Sequence, residues 1–117
     1  MPRFVVLAHH TTPLHYDLML EHGDTLATWS FEEAPSRDGQ PCRLIQDHRK
    51  AYLDYEGEVS GGRGRVERRD AGTFEGTIGE ERVEATFAEG ELAGRWELVR
   101  IAEPDRWELR RIPHRPG

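Results

Sequence analysis

The sequence predicts an all-β domain, a barrel or a sandwich, and three observations carry that prediction. Nearly every periodic segment alternates with period two, the segments recur at roughly 8–12 residues, and turns rich in Gly, Pro, Ser or Asp separate them. No segment has the periodicity of a long helix, no internal repeat is present and no linker divides the chain. Residues 1–117 are therefore expected to form one domain, large enough for a modest core.

The strands follow in order. RFVVLAH (Arg3–His9) reads as an apolar strand, and Thr11-Thr12-Pro13 can turn the chain back beside it. HYDLMLEH (His15–His22) and TLATWSF (Thr25–Phe31) flank Gly23-Asp24 and read as a hairpin. The stretch Glu32–Pro41 is dense in Pro, Gly, Ser and Asp and reads as a loop. RLIQDH (Arg43–His48) is a short strand and DYEGEV (Asp54–Val59) another, ended by Ser60-Gly61-Gly62. Arg65–Arg69 reads as a polar strand closed by a turn at Ala71-Gly72. TFEGTI (Thr73–Ile78), RVEATFA (Arg82–Ala88) and ELAGRWELVRI (Glu91–Ile101) are joined by hairpin-sized connections, so this half reads as an antiparallel meander. DRWELRRI (Asp105–Ile112) is the last strand, ending at Pro113. Closing such a sheet would remove its exposed edges.

Composition narrows the function classes. Three tryptophans, four phenylalanines and three tyrosines supply burial that disordered chains lack. No apolar run approaches the roughly 18–20 residues that cross a bilayer, the first residues do not form a signal peptide, and the lone Cys42 has no disulfide partner. A cytoplasmic protein with no membrane partner is expected. The net charge of −6 argues against binding nucleic acid by bulk charge, so any such contact must be local. All but one of the sixteen basic residues are arginine, which suits bidentate phosphate contacts but equally reflects a GC-rich genome.

Three clusters could carry chemistry. His15 and Asp17 project from one face of their strand, and His9 ends the strand before it. Two imidazoles and a carboxylate suit a divalent manganese, iron or zinc ion; exposed histidines beside a turn would give the same spacing. Gln46-Asp47-His48 with Tyr52 could hold a phosphate, His48 donating a proton to a leaving oxygen, or could be a polar loop entrance. The run Gly61–Arg69 carries four arginines among glycines without a phosphate-loop motif, and otherwise reads as a solvated strand edge. Cys42 reads as a packed thiol.

Taken together, FVVLAHHTTPLHYDLMLE (Phe4–Glu21), TLATWSFEEAPS (Thr25–Ser36), QDHRKAYLDYEGEVSGG (Gln46–Gly62), DAGTFEG (Asp70–Gly76) and LAGRWELVR (Leu92–Arg100) resemble, in order, the 3′-phosphoesterase domain of bacterial DNA ligase D. The resemblance implies a small antiparallel β-barrel of about eight strands with little helix. It implies a stand-alone hydrolase that heals DNA 3′ ends for end-joining repair, removing a terminal ribonucleoside and then a 3′-phosphate. By position, His9, His15 and Asp17 would hold a divalent metal, manganese foremost with zinc as an alternative, while His48 and Tyr52 would contact the scissile phosphate. The partners implied are DNA 3′ ends, with or without a terminal ribonucleotide, and a ligase or polymerase acting in trans.

The departures are specific. Met19 stands where the family has a phosphate-binding arginine, Glu33 where it tends to have a lysine, and the glycine-rich turn after Val59 is short. Arg43 lies near a further family arginine, and Arg63 or Arg65 are expected to compensate. The alternative is a barrel without catalysis that binds nucleic-acid ends or a protein.

Overall fold

The computed structural model describes residues 1–113. The strands are β1 (Arg3–His10), β2 (His15–His22), β3 (Thr25–Phe31), β4 (Gln40–Arg49), β5 (Gly57–Glu58), β6 (Arg65–Ile78), β7 (Arg82–Phe87), β8 (Gly94–Ala102) and β9 (Arg106–Arg111). Neighbours run β1-β2-β3-β4-β9-β8-β7-β6, and β6 pairs back onto β1, which closes an eight-stranded antiparallel barrel. The two-residue β5 lies against the start of β6, and the one helical piece among the described residues is a 3-10 turn at Lys50–Leu53. No described helix is long and apolar enough to cross a membrane.

Alternation decides which side chains fill the barrel. Phe4, Val6, Leu18, Leu20, Trp29, Phe31, Trp96, Leu98, Trp107 and Leu109 point inward and are buried. Trp29 and Trp107 meet edge to face at 5.5 Å, Phe4 and Phe87 at 4.7 Å, geometries that suit the ring quadrupoles. The Trp96 indole donates to the Leu92 carbonyl at 2.8 Å, which satisfies its buried N–H.

A second, smaller core lies outside the barrel wall. Val5 and Leu7 of β1, Met19 of β2 and Leu26 of β3 pack under Leu53, Val59 and Val66. This is why Phe4 to Ala8 is an unbroken apolar run: β1 is buried on both faces, like a strand covered on two sides. The cover is the excursion between β4 and β6.

Two local readings of the sequence change. Ala71-Gly72 is not a turn, because β6 runs unbroken from Arg65 to Ile78, pairing first with β1 and then with β7. Gly72 serves close approach instead: a Cβ there would lie 2.7 Å from Glu89 Cγ and 3.1 Å from the Phe4 ring. Of Asp54–Val59 only Gly57–Glu58 is strand, since the segment follows the 3-10 turn and crosses over the second core. β4 also starts earlier than read, at Gln40, whose side chain donates to the Glu33 and Ala34 carbonyls at 3.0 Å and pins the preceding loop.

Candidate active site

The pairing of β1 with β2 sets His9 directly opposite His15 and Leu7 opposite Asp17. His9, His15 and Asp17 therefore share the outer face of the wall, beside the second core. His9 Nδ1 lies 3.1 Å from His15 Nε2. Asp17 Oδ2 lies 3.9 Å from His9 Nδ1, and Asp17 Oδ1 lies 3.6 Å from His15 Nε2. One donor atom from each residue falls within 4.8 Å of the others.

These donors fit a divalent ion. Two ring nitrogens at 3.1 Å match the edge of a coordination shell of roughly 2.0–2.2 Å radius. Asp17 is 2% exposed, and its Oδ1 has no hydrogen-bond partner among the described residues, an orphan that a cation would satisfy. The second nitrogen of His9, Nε2, lies 2.6 Å from the Arg63 carbonyl. An Nε2–H donated there leaves the Nδ1 lone pair facing the cluster, the outer-shell arrangement typical of metal-binding histidines. Burial pushes the Asp17 carboxyl above the ordinary carboxylate range, and nearby His15, His48 and His9 only partly counter it.

A cavity of about 220 Å³ opens over the cluster, with His9 and Asp17 on its floor and His48, Arg49, Tyr52 and Arg63 among its walls. His48 and Tyr52 face each other edge to face at 5.7 Å. His48 Nδ1 lies 3.0 Å from the Gln46 carbonyl, so an Nδ1–H donated there leaves Nε2 as the reactive nitrogen. Met19 contributes an apolar patch to the cavity and is itself buried in the second core.

The arginines named from sequence separate. Arg63 reaches this cavity, but its guanidinium donates to the Ser60 carbonyl at 2.7 Å and Ser60 Oγ at 3.2 Å. Arg65 lies on β6 opposite His10, 3.4 Å from Glu67, and lines neither cavity. Arg43 lines a neighbouring cavity with Glu33, and lies 3.4 Å from Asp105. Arg49 was missed. It lines the site, and its guanidinium has no ion-pair partner among the described residues. Its one sequence signal was its place directly after His48. Cys42 is buried inside the barrel, and burial with Glu108 nearby pushes its thiol up to about 12, in keeping with a packed thiol.

The fold and this site define a small closed barrel that bears a polar, histidine-rich cavity on its outer wall. The family described as the DNA ligase D 3′-phosphoesterase domain matches residues 7–109, and the chain belongs to that family. It is 36% identical over 110 residues to the multifunctional non-homologous end joining protein LigD of Pseudomonas aeruginosa, covering 84% of this chain and 13% of that protein. It is 30% identical over 122 residues to the LigD proteins of Mycobacterium bovis and Mycobacterium tuberculosis, covering 93% of this chain and 16% of each relative. The chain thus spans less than a fifth of the length of these relatives.

Proposed function

We propose that this protein is a metal-dependent phosphoesterase that restores hydroxyls at DNA 3′ ends, removing a 3′-phosphate and a 3′-terminal ribonucleoside, within end-joining repair. The observation that carries this reading is the cluster of His9, His15 and Asp17 donors, two of which, His9 and Asp17, line one cavity with His48 and Tyr52, in a chain of the ligase D 3′-phosphoesterase family. His9, His15 and Asp17 would hold the divalent ion, manganese in the first instance, which when bound neutralises charge on the phosphoryl oxygens. Tyr52 orients the phosphate. The P–O bond that breaks is the one to the 3′ oxygen for a 3′-phosphate and to the 5′ oxygen of a terminal ribonucleoside. His48 delivers a proton to that leaving oxygen, water supplies the hydroxyl left on phosphorus, and the proton water loses restores the imidazole. Arg49 and Arg63, in the cavity walls, supply the positive charge that Met19 does not. The healed 3′-hydroxyl would then pass to a polymerase or ligase, because the relatives are named as multifunctional end-joining proteins.

The test is release of inorganic phosphate from a 3′-phosphorylated primer-template, with and without manganese, beside His15→Ala. Metal-dependent release that the substitution abolishes is the expected result. Metal binding without release would select the second reading, a binding module for nucleic-acid ends. The buried Met19 in the cavity is the observation that favours it.

A further inference from the structure

A second, larger cavity has a volume of about 450 Å³, within the roughly 300–1,000 Å³ usual for ligand sites. The cluster spans the two: its His9 and Asp17 line the first cavity, and its His15 lines this one. The strand pairings set a row of residues across the outer surface from one site to the other. Asp17 of β2 faces Ser30 of β3, Ser30 faces Arg43 of β4, and Arg43 faces Arg106 of β9. Neighbouring strands lie about 4.8 Å apart, so Arg43 stands roughly 10 Å along this row from Asp17.

Arg43 and Arg106 are like charges directly opposite each other, an arrangement that disfavours the sheet unless something offsets it. Asp105 offsets it in part, at 3.4 Å from Arg43, and Arg106 has no ion-pair partner among the described residues. Glu33 in the same wall is engaged with Arg37 at 3.7 Å. An anion between Arg43 and Arg106 would relieve the repulsion, and guanidinium forks match phosphate oxygens. Beside the pair, exposed Ile101 and Pro41 supply an apolar flank suited to a sugar or base.

We propose that this cavity binds the nucleotide on the 5′ side of the scissile end, with its phosphodiester held between Arg43 and Arg106. The proposal rests on the reading of the first cavity as a site for a nucleic-acid 3′ end. Successive nucleotides rise roughly 3.4 Å along a duplex, so the next linkages of a strand whose end sits at the cluster fall within reach of the pair. Ser30, a small side chain, is the residue between Asp17 and Arg43 in this row.

The test is anisotropy of a 5′-fluorescein oligonucleotide bearing a 3′-phosphate, measured in EDTA so that no turnover occurs. A second probe carries neutral methylphosphonates at the two linkages nearest the 3′ end. The wild-type protein should bind the neutral probe about tenfold or more weakly than the native one. The double variant R43Q/R106Q should bind the native probe as weakly as wild type binds the neutral one, and should no longer distinguish the two. Both arginines are exposed, and a melting temperature of the variant no lower than that of wild type certifies its fold. The proposal is overturned if the wild-type protein binds both probes equally, if it binds neither, or if the variant still discriminates. Discrimination without any phosphate release in manganese would sustain this inference while refuting the catalytic reading. Release without discrimination would do the reverse.

Discussion

Replacing Asp17 by Asn should stabilise the metal-free protein while removing its response to metal. The carboxylate is buried, its Oδ1 has no hydrogen-bond partner, and its acidity is weakened chiefly by desolvation. A folded-state carboxyl that holds its proton more tightly than the unfolded one opposes folding when ionised. The penalty is complete above the raised folded value and vanishes below the unfolded value near 3.8. Asn buries a neutral amide in place of a desolvated charge, and about 2 kcal/mol is a fair expectation for that difference at pH 7.5. The unfolding entropy of about 2.1 cal/mol/K per residue gives about 0.25 kcal/mol/K for 117 residues, hence a rise in Tm of roughly 8 °C. Manganese at about 100 times its Kd should stabilise the wild-type protein by about 2.7 kcal/mol, roughly 11 °C, and leave the variant unmoved. The order of stability therefore reverses between EDTA and manganese. Differential scanning calorimetry in both buffers, at pH 7.5 and pH 4, reads all of this. A variant that melts below wild type in EDTA would show that the carboxylate makes native contacts outweighing its burial. An equal manganese shift in both proteins would place the ion elsewhere.

Other substitutions probe the rest of the site. Arg49→Gln should lower kcat/KM for a 3′-phosphorylated substrate roughly 10- to 100-fold through loss of one charge-assisted contact, with manganese affinity from calorimetric titration unchanged. Gly64, at φ +81°, has no room for a Cβ against the His10 carbonyl, so Gly64→Ala should displace the Arg63 carbonyl from His9. Losing such an outer-shell partner should weaken manganese binding about 10- to 100-fold in the same titration. Leu53→Ala removes a buried side chain of the second core and should cost about 2–4 kcal/mol in urea denaturation. Fluorescence of the barrel tryptophans should follow the same transition, because the cover and β1 share that core.

Much of this fold was legible because a half-buried strand writes its burial as alternation. Val83, Ala85 and Phe87 face the barrel and Glu84 and Thr86 do not, so β7 and its inward face could be placed from sequence. What alternation does not encode is how long a strand continues once its partners change. β6 passes from β1 to β7 at Thr73 and Phe74, with a bulge opposite Val6 and Leu7, and its polar first half therefore looked like a separate strand. The second core was hidden for another reason. Leu53, Val59 and Val66 are scattered through an irregular segment, and only the two-sided burial of β1 hinted at a cover. In the candidate site, His9 beside His15 follows from pairing across a short turn, whereas Arg49 enters from the last position of β4, just before the 3-10 turn, beyond the strand as read from sequence, which ended at His48.

The buried Met19 explains where the positive charge of this site comes from. It stands on the same face as His15 and Asp17, yet it is 1% exposed and packed with Val5, Leu7, Leu26 and Leu53. In this chain an apolar side chain of the second core fills the position, so it offers the cavity no charge. The cations instead come from the end of β4 and from the loop over the wall, at Arg49 and Arg63, both exposed. The metal-type donors therefore sit mainly on two rigid, doubly buried strands, while the groups suited to an anion sit on a cover held by a small core. Affinity for a phosphate is then expected to depend on how well that cover is packed, and the donor cluster is tied to it by the second core and by the bond from His9 to the Arg63 carbonyl. Perturbing the cover should weaken phosphate binding before it disturbs the barrel, which separates the two halves of the site by physical cause as well as by position.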